Sequence, residues 1–291
     1  MQTVFQILLT ALQIGAIYVL FSLGLTLIFG VMRVVNFAHG QFFTLAALLV
    51  AVIDPWLAAK GWSGPFAYLG AVVGGVAAAI ALGAVVYRFG FRYFQRDLTG
   101  SFILSVGLVL LCEGVFLDVF GGSLRVVPPV VQGDVAIFGA NIAAQRLVLG
   151  SVAVAATALL YWVLATTRFG KAMRAVSIDH EAAMLQGIPC ERIAFQGFLI
   201  ATTLGAIAGA IIAPISAVTP VLGADYLVKG FIAVIIGGLG SVPGAIVGSL
   251  FIALIESVGG FLFDPSIANM AIFVLVMIVL MVRPNGLLGR G

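Results

Sequence analysis

The run from Val4 to Met32 holds no charged side chain and exceeds the roughly 20 apolar residues that a helix needs to cross a hydrocarbon core. It is the first of several. Phe66–Tyr87, Ser101–Phe120, Leu147–Ala165, Ile193–Ala213 and Ile267–Val282 follow, along with a shorter run, Phe42–Ile53. Phe42–Ile53 reaches across only if Asn36–Gln41 continues its helix or lines a cavity. Tyr226–Phe263 is too long for one simple span, and it carries Gly237, Gly238, Gly240 and Pro243 in its middle. That spacing predicts two helices, or one broken helix with a re-entrant turn. The expectation is an all-α, polytopic transmembrane bundle of 8 to 10 membrane segments, some short or broken, forming a single domain over 1–291.

Composition agrees. Of the 291 residues, 63% are hydrophobic and 9% charged, whereas soluble domains are near a quarter charged. A soluble chain this apolar could not cover its surface with polar groups, a problem that lipid removes. The net charge of +3 is spread along the chain and gives no nucleic-acid footprint. Cys112 and Cys190 do not suggest a structural disulfide. No basic residue precedes the first run, which is too long for a signal peptide and is expected to stay as a membrane helix.

Basic residues orient the bundle. Arg88, Arg92 and Arg96 cluster between the third and fourth runs, and Arg168, Lys171, Arg174 and Arg192 between the fifth and sixth. Both clusters fall on one side, the cytoplasmic one by the positive-inside rule, and Arg283 and Arg290 add the C-terminus. An even number of crossings must then separate Arg192 from Arg283, which favours splitting Tyr226–Phe263. Gly121–Arg146 lies outside, and its alternation around Val135, Ile137 and Ile142 predicts a small hairpin or irregular loop.

The sequence offers little chemistry. It contains no GxxxxGK[ST] loop to cradle nucleotide phosphates, and no HExxH, CxxC or GxSxG motif. His39 and His180 are too few for a histidine metal site or relay. The chain is expected not to be an enzyme. Its most informative loop is Thr166–Arg192. Asp179 is placed to N-cap a helix of about two turns over 180–186, Glu181 suits the first turn, and Gly187 with Pro189 ends it. Ala182, Ala183, Met184 and Leu185 make that helix partly apolar although it lies outside the membrane. It either docks in a partner's groove or packs under its own bundle.

Three blocks now carry a family resemblance. One comprises Gly15-Ala16-Ile17-Tyr18 and Gly24-Leu25-Thr26-Leu27-Ile28-Phe29-Gly30-Val31-Met32-Arg33-Val34-Val35-Asn36-Phe37-Ala38-His39-Gly40. The second is Arg168-Phe169-Gly170-Lys171-Ala172-Met173-Arg174-Ala175 with 182–187. The third is Ile236-Gly237-Gly238-Leu239-Gly240-Ser241-Val242-Pro243-Gly244-Ala245 with Gly248. In this order and spacing, the chain resembles the LivH-type permeases of branched-chain (hydrophobic) amino acid ATP-binding-cassette (ABC) importers over essentially its whole length. The resemblance implies a multi-pass protein of the bacterial inner membrane. Its implied partners are a LivM-like permease or a second copy, two cytoplasmic ATPases that use ATP and Mg, and a periplasmic binding protein. It also implies that Thr166–Arg192 is the coupling loop, with Gly170, Arg174, Asp179, Glu181, Ala182, Ala183, Leu185 and Gly187 coupling to the ATPase. No cofactor is expected in this chain.

Other residues keep two readings. Asn36 and His39 either line a pathway or gate, or cap and pack a turn. Glu113 either lines the pathway or pairs with backbone or a neighbouring helix, and Asp118 and Glu256 are further acids in or near apolar runs. Gln6 and Gln13 share a helical face and suit interhelical hydrogen bonds. Gly205 with Gly209, and Gly240 with Gly244 and Gly248, form GxxxG spacings that let helices approach closely, for packing or as a hinge. A stand-alone carrier or channel for a small solute is the competing function, with Glu113 and Glu256 as ion sites, and a scaffold subunit without a pathway is a third. The family's substrates include leucine, isoleucine and valine, and relatives handle other amino acids, amides or urea.

Overall fold

The computed structural model describes residues 2–62, 64–137, 140–283 and 286–288; Arg290, expected at the cytoplasmic end, lies outside them. Among the described residues are eleven helices and one hairpin. The helices are α1 (Gln2–Met32), α2 (His39–Ala59), α3 (Gly64–Phe89), α4 (Leu98–Phe120), α5 (Ala144–Thr166), α6 (Arg168–Ile178), α7 (His180–Leu185), α8 (Cys190–Ile212), α9 (Leu222–Gly237), α10 (Val242–Leu262) and α11 (Pro265–Val282). Strands β1 (Asp134–Ile137) and β2 (Ala140–Ala143) pair antiparallel, with Val135 opposite Ile142, in the outer segment where a hairpin was expected. Seven helices are long and apolar enough to span a bilayer: α1 to α5, α8 and α10. Counting the shorter α9 and α11 gives nine membrane segments, within the expected 8 to 10.

Burial ranks the helices. In the most apolar stretch of α1, 78% is buried within the chain, against 17% in α4 and in α5. Thus α1 is the central column, and α4 and α5 leave most of their apolar surface outside the chain's own core. Helices α8 and α10 run antiparallel to α1. Gly24 of α1 meets the Ala201 carbonyl on α8, Gly15 meets Leu250 and Ala253, and Gly30 meets Gly240 at the entrance to α10. The Arg96 amide donates to the Met32 carbonyl at 3.1 Å, placing the end of α1 beside the basic loop. The N-terminal end of α1 is therefore opposite the basic loop, on the side that is outer because the positive-inside rule puts that loop in the cytoplasm.

Two helices start inside the bundle. Residues 33–38 leave the end of α1 and fold back, so that α2 begins with His39 alongside Gly24. This is about 12 Å inward from Met32, at 1.5 Å per residue. Of the segment Asn36–Gln41, only His39 to Gln41 are helical. Helix α9 starts against the same point, with Gly40 and Gly223 so close that a side chain on either would overlap the other's carbonyl. The Thr44 hydroxyl accepts from the Gly223 amide at 2.9 Å and donates to the Gly40 carbonyl at 3.0 Å. One side chain thus satisfies backbone groups at two helix starts that lipid could not.

The long glycine-rich region is two helices, as its length and parity required. They are α9 and α10, joined at 238–241. Gly238 (φ 106°) and Gly240 (φ 81°) take left-handed conformations that other residues adopt at a cost. Two expectations change here. Gly240 lies in the turn, off the helix face it was grouped with, and Pro243 starts α10, where its missing amide costs nothing, instead of interrupting a helix. Gly244 packs on the Gly237 carbonyl and Gly248 on that of Ala233, so the hairpin is held by direct backbone contact. Beyond α11, the Leu287 and Leu288 amides donate to the Ile236 and Gly237 carbonyls at 2.7 and 3.0 Å, capping the end of α9.

A side chain at position 244 has nowhere to go. Gly244→Leu should separate α9 from α10, with an overpacking cost at or above about 1–3 kcal/mol. Ser249→Ala, which removes one hydroxyl bond to the Ala245 carbonyl within α10, should cost below about 1 kcal/mol. Thermal unfolding in detergent checks both; equal midpoints for the two variants would count against the seam.

Candidate functional site

Three regions gather the chemistry. The first is the basic face. Thr167 caps α6 by accepting from the Gly170 amide at 3.1 Å, and Gly170 sits so close to Leu164 that no side chain fits. Arg174 donates to the Leu164 carbonyl. Gly170 and Arg174 therefore fix the bend between α5 and α6. The buried Gly170, Met173 and Val176 recur every three residues and dock α6 under the bundle. This helix went unread in the sequence, although Thr167 offered a cap signal for it.

That cap is Asp179. Its carboxylate accepts from the Glu181 and Ala182 amides at 2.9 and 3.0 Å and starts α7, which ends at Leu185, one residue earlier than expected. Gly187 closes the turn at φ 76°. Ala183 is 4% exposed and faces its own protein, whereas Met184 is 51% and Leu185 88% exposed. Beside them a cavity of about 1000 Å³ is lined by Arg88, Arg92, His180, Met184 and Arg192, among others. Arg92 pairs with Glu191 at 2.5 Å; as an exposed pair it contributes little to stability. Burial first, and then the nearby Arg96, lower the His180 pKa from its usual value.

The second region is the elbow where α2 begins. Asn36 and His39 are both buried. The His39 ring lies edge-on to Phe21 at 4.7 Å and fills the space left by Gly24 and Gly205. Gly209 abuts the Phe43 carbonyl. Among the described residues, the Asn36 amide has no hydrogen-bond partner. The Gln41 amide donates to Glu113 at 3.4 Å, tying α2 to α4. Neither described cavity is lined by Asn36, His39 or Glu113.

The third region is an outer cavity of about 420 Å³ between α1, the start of α5, the α8–α9 link, α9 and α10. Lys229 on α9 pairs with Glu256 on α10 at 2.5 Å, and the Tyr18 hydroxyl donates to the other Glu256 oxygen at 2.6 Å. Asp225, one helical turn before Lys229, and Arg146, which donates to Gln13 at 3.2 Å, complete the ring. Of this set, Glu256 and Gln13 drew notice in the sequence, and Tyr18 only as part of a family block; Asp225 and Lys229 did not. The available signal was Asp225 and Lys229 four apart in an apolar run, which puts both on one face.

Taken together, a broken-helix membrane bundle with a two-helix element on its basic face and a charged outer cavity has the anatomy of a transport subunit. The chain belongs to the branched-chain amino acid transport system / permease component family, which it matches over residues 7–282. It is 28% identical over 302 residues to the high-affinity branched-chain amino acid transport system permease protein LivH of Escherichia coli K12, covering 98% of this chain and 95% of that one. BraD of Pseudomonas aeruginosa, of the same description, is 26% identical over 294 residues, with the same coverage. The ribose import permease protein RbsC of Escherichia coli K12 is 30% identical over 193 residues, 62% of this chain and 57% of that one. The expectation of an ABC-transporter permease, multi-pass in the membrane, stands on these matches.

Removing the α7 cap is a local test. Asp179→Ala should cost about 1 kcal/mol of helix stability. Hydrogen exchange should rise several-fold in a peptide covering 180–186 and stay unchanged in α8. Unchanged exchange at 180–186 would mean that the cap does not hold α7.

Proposed function

We propose that this chain is the translocating subunit of an ABC importer that carries branched-chain or related hydrophobic amino acids across the bacterial inner membrane into the cytoplasm. A second permease, LivM-like or another copy, completes the pathway. Two ATPase subunits supply energy from ATP and Mg, and a periplasmic binding protein delivers substrate. The observation that carries the reading is the full-length match to amino acid permeases. It is supported by the α6–α7 element. A capped helix too short to stand alone holds Met184 and Leu185 outward on the basic face, beside an open groove. Two exposed apolar side chains there have no use in water and are suited to the cleft of a partner. In this reading α7 transmits ATPase closure through α6, which Gly170 and Arg174 lock to α5.

A stand-alone carrier is the second reading, and the half-buried Lys229–Glu256 pair is the observation that favours it, since ionisable side chains at membrane depth often serve ion coupling. One assay separates the two. In proteoliposomes holding the assembled complex, uptake should require internal ATP, stop with a non-hydrolysable analogue, and continue when proton and sodium gradients are dissipated. Uptake by the chain alone, driven by a gradient, would establish the carrier.

The geometry also moves the best contact probe. A cysteine at Leu185, 88% exposed, should crosslink to one in the ATPase groove, while one at the buried Ala183 should not. Labelling of the Leu185 position from the periplasmic side would overturn both orientation and coupling role.

A further inference from the structure

The outer cavity holds four charged side chains, two of each sign, within a membrane bundle. Arg146 and Lys229 are cations, Asp225 and Glu256 anions, and the ring is neutral overall. Lys229 and Glu256 are already paired at 2.5 Å, with side chains only about a fifth exposed. A pair needed only to join α9 to α10 has no physical reason to face an open space, because the glycine seam already joins those helices. Nor does a bundle gain from two further charges, Asp225 and Arg146, placed beside it. Between the charged groups, Ile17, Leu149, Ile212 and Ile215 line the rest of the cavity. At about 420 Å³ it falls in the size range of small-molecule sites.

A guest that fits these walls must have no net charge, carry a cation and an anion a few ångströms apart, and present an aliphatic body. A free anion or a free cation would leave one member of the Lys229–Glu256 pair uncompensated when it entered, and stranded buried charge is strongly unfavourable. A zwitterion avoids this. Its carboxylate approaches Lys229 and its ammonium approaches Glu256, so that one ion pair opens into two and no charge is left alone. Tyr18 holds Glu256 in place through its hydroxyl. Arg146 and Asp225, at the more exposed positions, meet the guest first.

We propose that this cavity, bounded by α1, α5, α9 and α10, is a transit site that holds the zwitterionic head of an aliphatic α-amino acid on its way through the permease. The proposal rests on the importer reading above and adds the site.

The test uses the assembled importer in proteoliposomes, without binding protein, carrying Ser216→Cys at the cavity wall and alanine at the two buried native cysteines, Cys112 and Cys190. A membrane-impermeant maleimide added outside reports occupancy. L-leucine at roughly ten times its dissociation constant should slow labelling by about tenfold. At the same concentration, 4-methylpentanoate, which keeps the carboxylate, and 3-methylbutylamine, which keeps the amine, should leave labelling unchanged. Lys229→Met and Glu256→Gln should each remove the leucine effect. Equal protection by all three compounds would mean a merely apolar pocket and overturn the zwitterion site. So would failure of the cysteine to label from outside, or labelling indifferent to leucine. Leucine uptake by the same complex with its binding protein is measured in parallel. Uptake without protection sinks the site alone, and absence of amino acid uptake sinks the importer reading.

Discussion

The fold turns on where a helix is allowed to begin. In lipid, a free backbone amide has no solvent to bond, so a helix that starts at mid-depth must find protein acceptors for its first turn. Here α9 does so against α2, its Gly223 amide donating to the Thr44 hydroxyl, while the His39 and Gln41 amides of α2 donate to the Asn36 and Ala38 carbonyls of the elbow. The Thr44 hydroxyl serves Gly223 and Gly40 at once. The arrangement is possible only because neither glycine carries a side chain at the point of contact. From it follow the retreat of residues 33–38 into the bundle and the shortness of α9. The burial of His39 against Gly24 and Gly205, and the seating of α1 as the central column, belong to the same arrangement. Broken helices of this kind are how transporters keep irregular backbone at membrane depth, shielded by neighbours or beside water.

The coarse architecture was readable because hydropathy and charge work over long stretches. Runs such as Phe66–Tyr87 exceed the bilayer thickness, and the arginines of 88–96 and 168–192 fix the sides, which in turn forces Tyr226–Phe263 to divide. Glycine was legible as a mark of close approach but not of its form. Gly244 and Gly248 lie on a helix face, while Gly240, four residues earlier, serves a turn at φ 81°. Spacing alone cannot separate those cases, since both demand the absence of a side chain. The cap on α7 was visible because Asp179 bonds to amides two and three residues on, whereas α6, capped by Thr167, also depends on tertiary docking of Met173 and Val176.

The charged cavity was the least legible part, for a physical reason. Its charged members come from α5, α9 and α10, and of these only Asp225 and Lys229 are near in sequence. Asn36, His39 and Glu113 look more conspicuous because they interrupt or border apolar runs, yet they pack at the elbow, away from both described cavities. In an apolar chain, the rarity of a polar residue indicates that it is buried among protein. Which neighbours it meets is set by helices far along the chain.

The strand of backbone after α11 has a practical side. Leu287 and Leu288 bond to the last carbonyls of α9, the same helix that carries Lys229 about 12 Å from its end, at 1.5 Å per residue. A force applied just beyond Leu288 is therefore delivered to α9 directly, without passing through α11. An affinity tag or fluorescent fusion spliced in at that point would act as a handle on the helix that faces the cavity, and the other end, at the exposed start of α1, is the quieter place to attach one.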